Sequence, residues 1–151
     1  MMPTFLPLTS ATLDRALAQM ADFYAEESLD FRESRARGAL EQLIANPALG
    51  LFQFIQVDGE AVGYFVLTLG FSLEFAGRFA LLDEFYVDPA HRGCGLGVQA
   101  LAYIQRAAAS LGVAAIRLEV DRGNPRVRAF YQRAGFVAHD RDLMTQWLGE
   151  V

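Results

Sequence analysis

The chain has 151 residues, enough for one domain of common size and too few for two ordinary ones. Hydrophobic residues make up 53% and charged residues 21%, which predicts a packed core and excludes global disorder. The formal charge is −5 and every one of the 13 bases is arginine, so a general nucleic-acid partner is not expected: a net acidic chain repels the phosphate backbone.

In chain order, Thr4 to Leu8 reads as a first strand, followed by a helix starting at Thr9 or Ser10. Leu13, Leu17, Met20 and Tyr24 keep the spacing of one buried helical face. Glu26 to Phe31 reads as a loop, and Glu33 to Ala45 as a second helix stopped by Asn46-Pro47. Leu51 to Val57 and Ala61 to Leu69 are β-rich runs joined by Asp58-Gly59, a strong hairpin signal. Phe79 to Val87 is a further strand closed by Asp88-Pro89. A glycine-rich loop then leads into a long helix reaching about Leu111, striped by Leu101, Ile104, Ala108 and Leu111. Ala115 to Val120 reads as a strand, and Asn124-Pro125 opens a helix that ends at Gly135. Phe136 to His139 and Leu143 to Trp147 suit a closing strand pair. The order β-α-α-β-β-β-α-β-α-β-β, with about four helices, is α+β or mixed α/β, and the whole of 1–151 is expected to be one domain.

The lone cysteine, Cys94, allows no internal disulfide and suits a reducing cytoplasm. The N-terminal stretch lacks a signal-peptide pattern, and no apolar run is long enough to span a bilayer, so no membrane association is expected. His91 and His139 have no metal-ligand spacing, and no metal is expected.

The segment Arg92-Gly93-Cys94-Gly95-Leu96-Gly97 lies between a strand and a long helix. Its glycines let consecutive backbone amides converge on an anion, and the helix N-terminus adds positive potential. Charge is distributed to match: residues 1–90 hold 13 acids and 5 arginines, whereas residues 91–151 hold 5 acids and 8 arginines. Arginine's planar fork suits phosphate. A dinucleotide or S-adenosylmethionine site competes for the same loop, with Glu119 where a ribose-binding acid would fall. The G-x-G-x-G spacing, with Val98 in place of a third glycine, and the five residues between strand and first glycine weigh against it.

Three stretches carry a family resemblance. They are Asp83-Glu84-Phe85-Tyr86-Val87-Asp88-Pro89-Ala90-His91-Arg92-Gly93-Cys94-Gly95-Leu96-Gly97, Glu119-Val120-Asp121-Arg122-Gly123-Asn124-Pro125-Arg126 and Ala129-Phe130-Tyr131-Gln132-Arg133-Ala134-Gly135-Phe136. Together they resemble the GNAT superfamily of acyl-coenzyme A-dependent N-acyltransferases, whose R-x-x-G-x-G/A pattern is matched by Arg92, Gly95 and Gly97. The resemblance implies a largely antiparallel mixed sheet splayed between two parallel strands. It implies acetyl-CoA as cosubstrate, with pantetheine along Phe85, Tyr86 and Val87 and pyrophosphate on the amides from Arg92 to Val98, through Gly93, Cys94, Gly95, Leu96 and Gly97. Asn124 matches a pantetheine-binding position, and also suits the cap of its own helix.

The reaction so implied is direct attack by an amine on the acyl thioester in a ternary complex. A protonated amine must first lose a proton. Asp83 and Glu84 are the candidates, because adjacent strand residues point to opposite faces and one should face the cleft. The resemblance favours Asp83, with Glu84 as second choice. Tyr131 matches the tyrosine that the family places near the sulfur, where it would protonate the departing thiolate. Acceptor contacts are expected from the N-terminal helices and an inter-strand loop, through Tyr24, Glu26, Glu27, Phe31 and Glu74, an acidic and aromatic set suited to a small cationic amine or a peptide N-terminus. A non-catalytic acyl-CoA sensor is the alternative, and a homodimer through Met144 to Val151 and apolar strand edges is a further expectation.

Overall fold

The computed structural model describes residues 2–149, which fall into two compact units divided between Glu119 and Val120. In the first unit the elements run β1 (Thr4–Pro7), α1 (Leu13–Glu26), α2 (Glu33–Ala45), β2 (Gly50–Val57), β3 (Glu60–Ser72), β4 (Gly77–Val87), α3 (Leu96–Ser110) and β5 (Ile116–Arg117). The sheet order is β1-β2-β3-β4-β5, antiparallel throughout except for the parallel β4–β5 pair.

Local chemistry explains the element ends. Asp58 and Gly59 both take positive φ, 51° and 81°, the pattern of a tight turn whose twist matches its strands, so β2 and β3 form the expected hairpin. Asn46 ends α2 with non-helical φ and ψ, and its side chain accepts from the Ala48 amide at 3.2 Å. Gly63 lies where β3 and β4 approach closely: a Cβ there would meet the Tyr86 carbonyl oxygen at 2.1 Å.

Each face of the sheet has its own core. Ala16, Leu17 and Met20 of α1 and Leu40 of α2 pack on Phe52, Phe54, Tyr64, Val66 and Tyr86. On the other face Leu96 and Ala100 of α3 pack on Ile55, Val57 and Val62, with Phe85 and Val87 alongside. β4 therefore separates two environments, with Tyr86 toward α1 and Phe85 and Val87 toward α3.

β5 is shorter than its sequence suggests: of Ala115 to Val120, only Ile116 and Arg117 form ladder pairs, with Ala80 and Leu81. In the second unit α4 spans Pro125–Arg133, and the expected strand pair at 136–139 and 143–147 is absent among the described residues. An isolated hairpin is marginal in water. Here Arg122 instead holds the intervening turn, through Asp140 and Asp142 at 3.3 and 3.4 Å and the Arg141 carbonyl at 2.7 Å. Leu143, Met144, Trp147 and Leu148 are exposed, and the last two residues of the expected dimer segment, 150 and 151, lie outside the described residues. No helix among the described residues is long and apolar enough to cross a membrane.

Candidate active site

The site grows from an irregularity in β4. Its register against β3 runs Gly63↔Val87, Tyr64↔Tyr86, Phe65↔Phe85 and Val66↔Glu84, then passes to Leu67↔Leu82. Asp83 is the extra residue of a β-bulge. Simple alternation would send Asp83 and Glu84 to opposite faces, but the bulge breaks it. Glu84 bonds the Tyr24 phenol of α1, and the charge of Asp83 acts on that phenol more weakly.

Glu84 is held on both oxygens. Tyr24 Oη donates to Glu84 Oε2 at 2.5 Å, and Tyr64 Oη donates to Glu84 Oε1 at 2.7 Å. Tyr64 is fully buried, and the Tyr24 ring meets Phe23 and Phe31 edge-on at 5.9 and 5.4 Å. Burial raises the Glu84 pKa, the two phenol hydrogen bonds lower it, and the charge of Asp83 raises it again, for a net upward shift. Burial chiefly, then the carboxylates, drives both phenols well above the ordinary tyrosine range, so they remain protonated donors. Asp83 is exposed and has no hydrogen-bond partner among the described residues, yet reduced hydration raises its pKa too. Tyr64 went unnoticed in the sequence because it sits in an apolar run that reads as plain core. Only the register with β4 brings it to Glu84.

Beyond the bulge β4 has an open strand edge. β5 pairs with β4 no further than Leu81↔Arg117, while β4 continues to Val87. The Asp88 amide donates to Val62 O at 2.8 Å, so by alternation Tyr86 also faces β3 and the amides of Phe85 and Val87 face the opposite edge. Among the described residues of this unit no strand pairs there. Such an edge can accept an extended ligand as though it were another strand.

Beyond the edge comes the glycine loop. Gly93 and Gly95 take φ of 77° and 84°, a region that an L side chain rarely adopts, and Gly95 opens α3 with no side-chain cap. Leu96, Gly97 and Val98 begin the helix, with amides that have no partner within it. Cys94 is exposed and donates from Sγ to the His91 carbonyl at 3.0 Å, a local turn contact, while His91 Nδ1 lies 2.9 Å from Asp88 Oδ1.

Arg92 has partners within the protein. Its Nη2 donates to both oxygens of Glu26, at 2.8 and 2.6 Å, its Nε donates to the Val87 carbonyl at 2.8 Å, and its guanidinium lies over the Tyr86 ring. Glu26, expected to meet the acceptor, is thus a clasp between the end of α1 and the loop. Of the other acceptor candidates, Tyr24 and Phe31 come together beside Glu84, and Glu27 caps the C-terminus of α1 on the surface. Glu74 does not join them. It lies past Ser72↔Gly77 in the β3–β4 turn, about 20 Å along the strand from Glu84, and pairs with Arg117 at 3.4 Å.

In the second unit, Asn124 caps α4, accepting from the Val127 amide at 3.2 Å. Tyr131 lies on α4, with its ring edge-on to Phe130 and Phe136 at 5.1 and 5.6 Å. Among the described residues no group of three or more His, Cys, Asp or Glu is arranged to hold a metal ion.

A mixed sheet with a bulged strand, an open edge beyond the bulge and an amide-lined loop at a helix start defines a class of α/β protein. The chain belongs to the acetyltransferase (GNAT) family, whose model matches residues 18–136. Among solved structures it is similar to an integron cassette protein from the mobile metagenome of Cole Harbour Salt Marsh, at 33% identity, covering 97% of this chain and 91% of that one with a TM-score of 0.85. It shares its fold with the aminoglycoside N-acetyltransferase AAC(6')-Iy in complex with CoA, at 14% identity, 98% and 96% coverage and a TM-score of 0.81. The same holds for a predicted acetyltransferase from Clostridium acetobutylicum with acetyl-CoA, at 14% identity, 96% coverage of both chains and a TM-score of 0.80. Among curated proteins no match was found.

Proposed function

We propose that the protein is an N-acetyltransferase that moves an acetyl group from acetyl-CoA to a primary amine of a small cationic molecule or a peptide N-terminus. The observation that carries this reading is the open β4 edge at Phe85 and Val87, which leads directly to the loop amides of Arg92 to Val98. Pantetheine would pair with the first and pyrophosphate rest on the second. Both units serve one catalytic domain in this reading, supported by a family match that runs through both.

The amine enters as an ammonium and gives up a proton to the Asp83–Glu84 pair. Its lone pair then attacks the thioester carbon. A β4 amide from Phe85 to Val87 supports the oxyanion. As the carbon–nitrogen bond forms and the carbon–sulfur bond breaks, Tyr131 of α4 gives its proton to the departing thiolate, and the second proton shed by the acylated nitrogen restores the phenol. Asn124 contributes to pantetheine binding beside its capping role. Tyr24, Phe31 and Glu27 meet the acceptor. With one cysteine and no disulfide, the compartment we assign is the cytoplasm. A homodimer would form on the exposed Leu143, Met144, Trp147 and Leu148.

The test is a thiol-release assay with acetyl-CoA against a panel of diamines, polyamines, aminoglycosides and peptide N-termini. Amine-dependent thiol release is expected. Saturable acetyl-CoA binding without release by any amine would make the protein an acyl-CoA sensor instead.

A further inference from the structure

Glu84 is engaged by a phenol on each oxygen. Oε1 receives the Tyr64 hydroxyl and Oε2 the Tyr24 hydroxyl, so each phenol offers a preformed hydrogen-bonded path for a proton to this partly buried carboxylate. The two phenols are not equivalent. Tyr64 is fully enclosed between β2, β4 and α1, with its ring stacked on Phe52 at 4.8 Å, and reaches nothing that arrives from solvent. Tyr24 is only partly buried and sits at the end of α1 beside the Phe31 edge, where the α1–α2 loop begins. Of the two phenols bonded to Glu84, Tyr24 is therefore the less buried.

We propose that Tyr24 is a catalytic residue that relays the acceptor's proton to Glu84, with Tyr64 as the positioning residue that fixes the carboxylate for the transfer. This rests on the acetyl-transfer reading and deepens it. In the step, an N–H bond of the bound ammonium breaks as its proton joins the Tyr24 oxygen. The original Tyr24 hydroxyl proton passes across the 2.5 Å hydrogen bond to Glu84 Oε2. Tyr24 ends as a neutral phenol, Glu84 as a carboxylic acid, and the amine as a free nucleophile. No tyrosinate is formed, which agrees with an environment that resists phenol ionisation.

The groups facing Glu84 set its pH response. Tyr24 comes from α1, Tyr64 from β3 and Asp83 from its own strand, while Tyr86 of that strand acts on Tyr64. Asp22, Glu26, Asp88 and Arg92 act around Tyr86 at the next remove. Phe23 and Phe31 add aromatic walls without charge. Losing either phenol removes a hydrogen bond to the ionised form, so the Glu84 titration moves upward in pH.

Two measurements test the relay. The first uses the free protein: carboxyl-carbon NMR titration of Glu84 in the parent, Tyr24→Phe and Tyr64→Phe. Both substitutions are expected to move the Glu84 midpoint to higher pH. An unchanged midpoint in Tyr24→Phe means that the hydrogen bond does no work and overturns the proposal, whatever the acetyl-transfer assay gives. The second is the pH profile of kcat, with acetyl-CoA and whichever panel amine the parent acetylates fastest. Tyr24→Phe and Glu84→Gln are each expected to lower kcat by about 100-fold or more, and the double variant to be no slower than either single. Tyr64→Phe is expected to keep more of the rate and to move the acid limb to higher pH. A Tyr24→Phe enzyme with parental kcat and acid limb, or an Asp83→Asn enzyme that alone loses the limb, contradicts the relay and assigns the proton to Asp83.

Discussion

At the scale of single residues, the acidic pair at the bulge carries both the proposed chemistry and a stability effect. The Asp83 and Glu84 pKa values both lie above their ordinary values of 3.8 and 4.5, burial being the first cause in each. The folded state therefore binds these protons more tightly than the unfolded chain. That contribution is fully present below the unfolded values and is lost as pH rises through the folded ones. Asp83→Asn removes a partly desolvated charge that has no hydrogen bond. It is expected to raise the melting temperature by a few degrees at pH 7 and to leave it unchanged near pH 3. Melting curves at the two pH values check this, and equal shifts at both would separate the effect from Asp83 ionisation. The sequence made the pair visible as two adjacent carboxylates before a glycine loop. It could not show that Asp83 is the extra residue of a bulge while Glu84 bonds Tyr24, because a bulge is a property of register between strands. Tyr64 was hidden for the same reason, and Arg92 read as a free phosphate ligand because its Glu26 partner lies 66 residues away.

At the scale of elements, the hairpin and helix limits were legible because they follow from local rules. Asp58-Gly59 adopts the positive φ pair that its residues favour, and α2 occupies the expected 33–45 and ends at Asn46-Pro47. β5 and the 136–147 segment were less legible, since a strand needs a partner that its own sequence does not contain. β4 is where element geometry matters most for the site. Gly63 lets β3 approach the strand opposite Val87, and an added Cβ would collide with the Tyr86 carbonyl. Gly63→Ala is expected to cost about 3 kcal/mol or more, measured by urea denaturation, because two backbones rather than a flexible side chain must separate. Gly95→Ala meets open space and suffers only its φ of 84°, so a loss of about 1–2 kcal/mol is expected. Equal costs at the two positions would mean that the β3–β4 approach is looser than this register implies.

At the scale of the whole molecule, the charge division acquires a physical reading. The acid-rich residues 1–90 contain the Asp83–Glu84 pair and the aromatic neighbourhood proposed for a cationic acceptor. The arginine-rich remainder contains the loop proposed for the phosphates of coenzyme A, and Glu26 clasps Arg92 across that divide. The proposed function requires that the β4 edge and the loop after it seat acetyl-CoA. A thermal melt with added ligand tests it most directly, because a molecule that binds only the folded state must raise the melting temperature. Acetyl-CoA is expected to raise it in a saturable manner, whereas S-adenosylmethionine and NAD leave it unchanged. A shift with either of those two and none with acetyl-CoA would contradict the account.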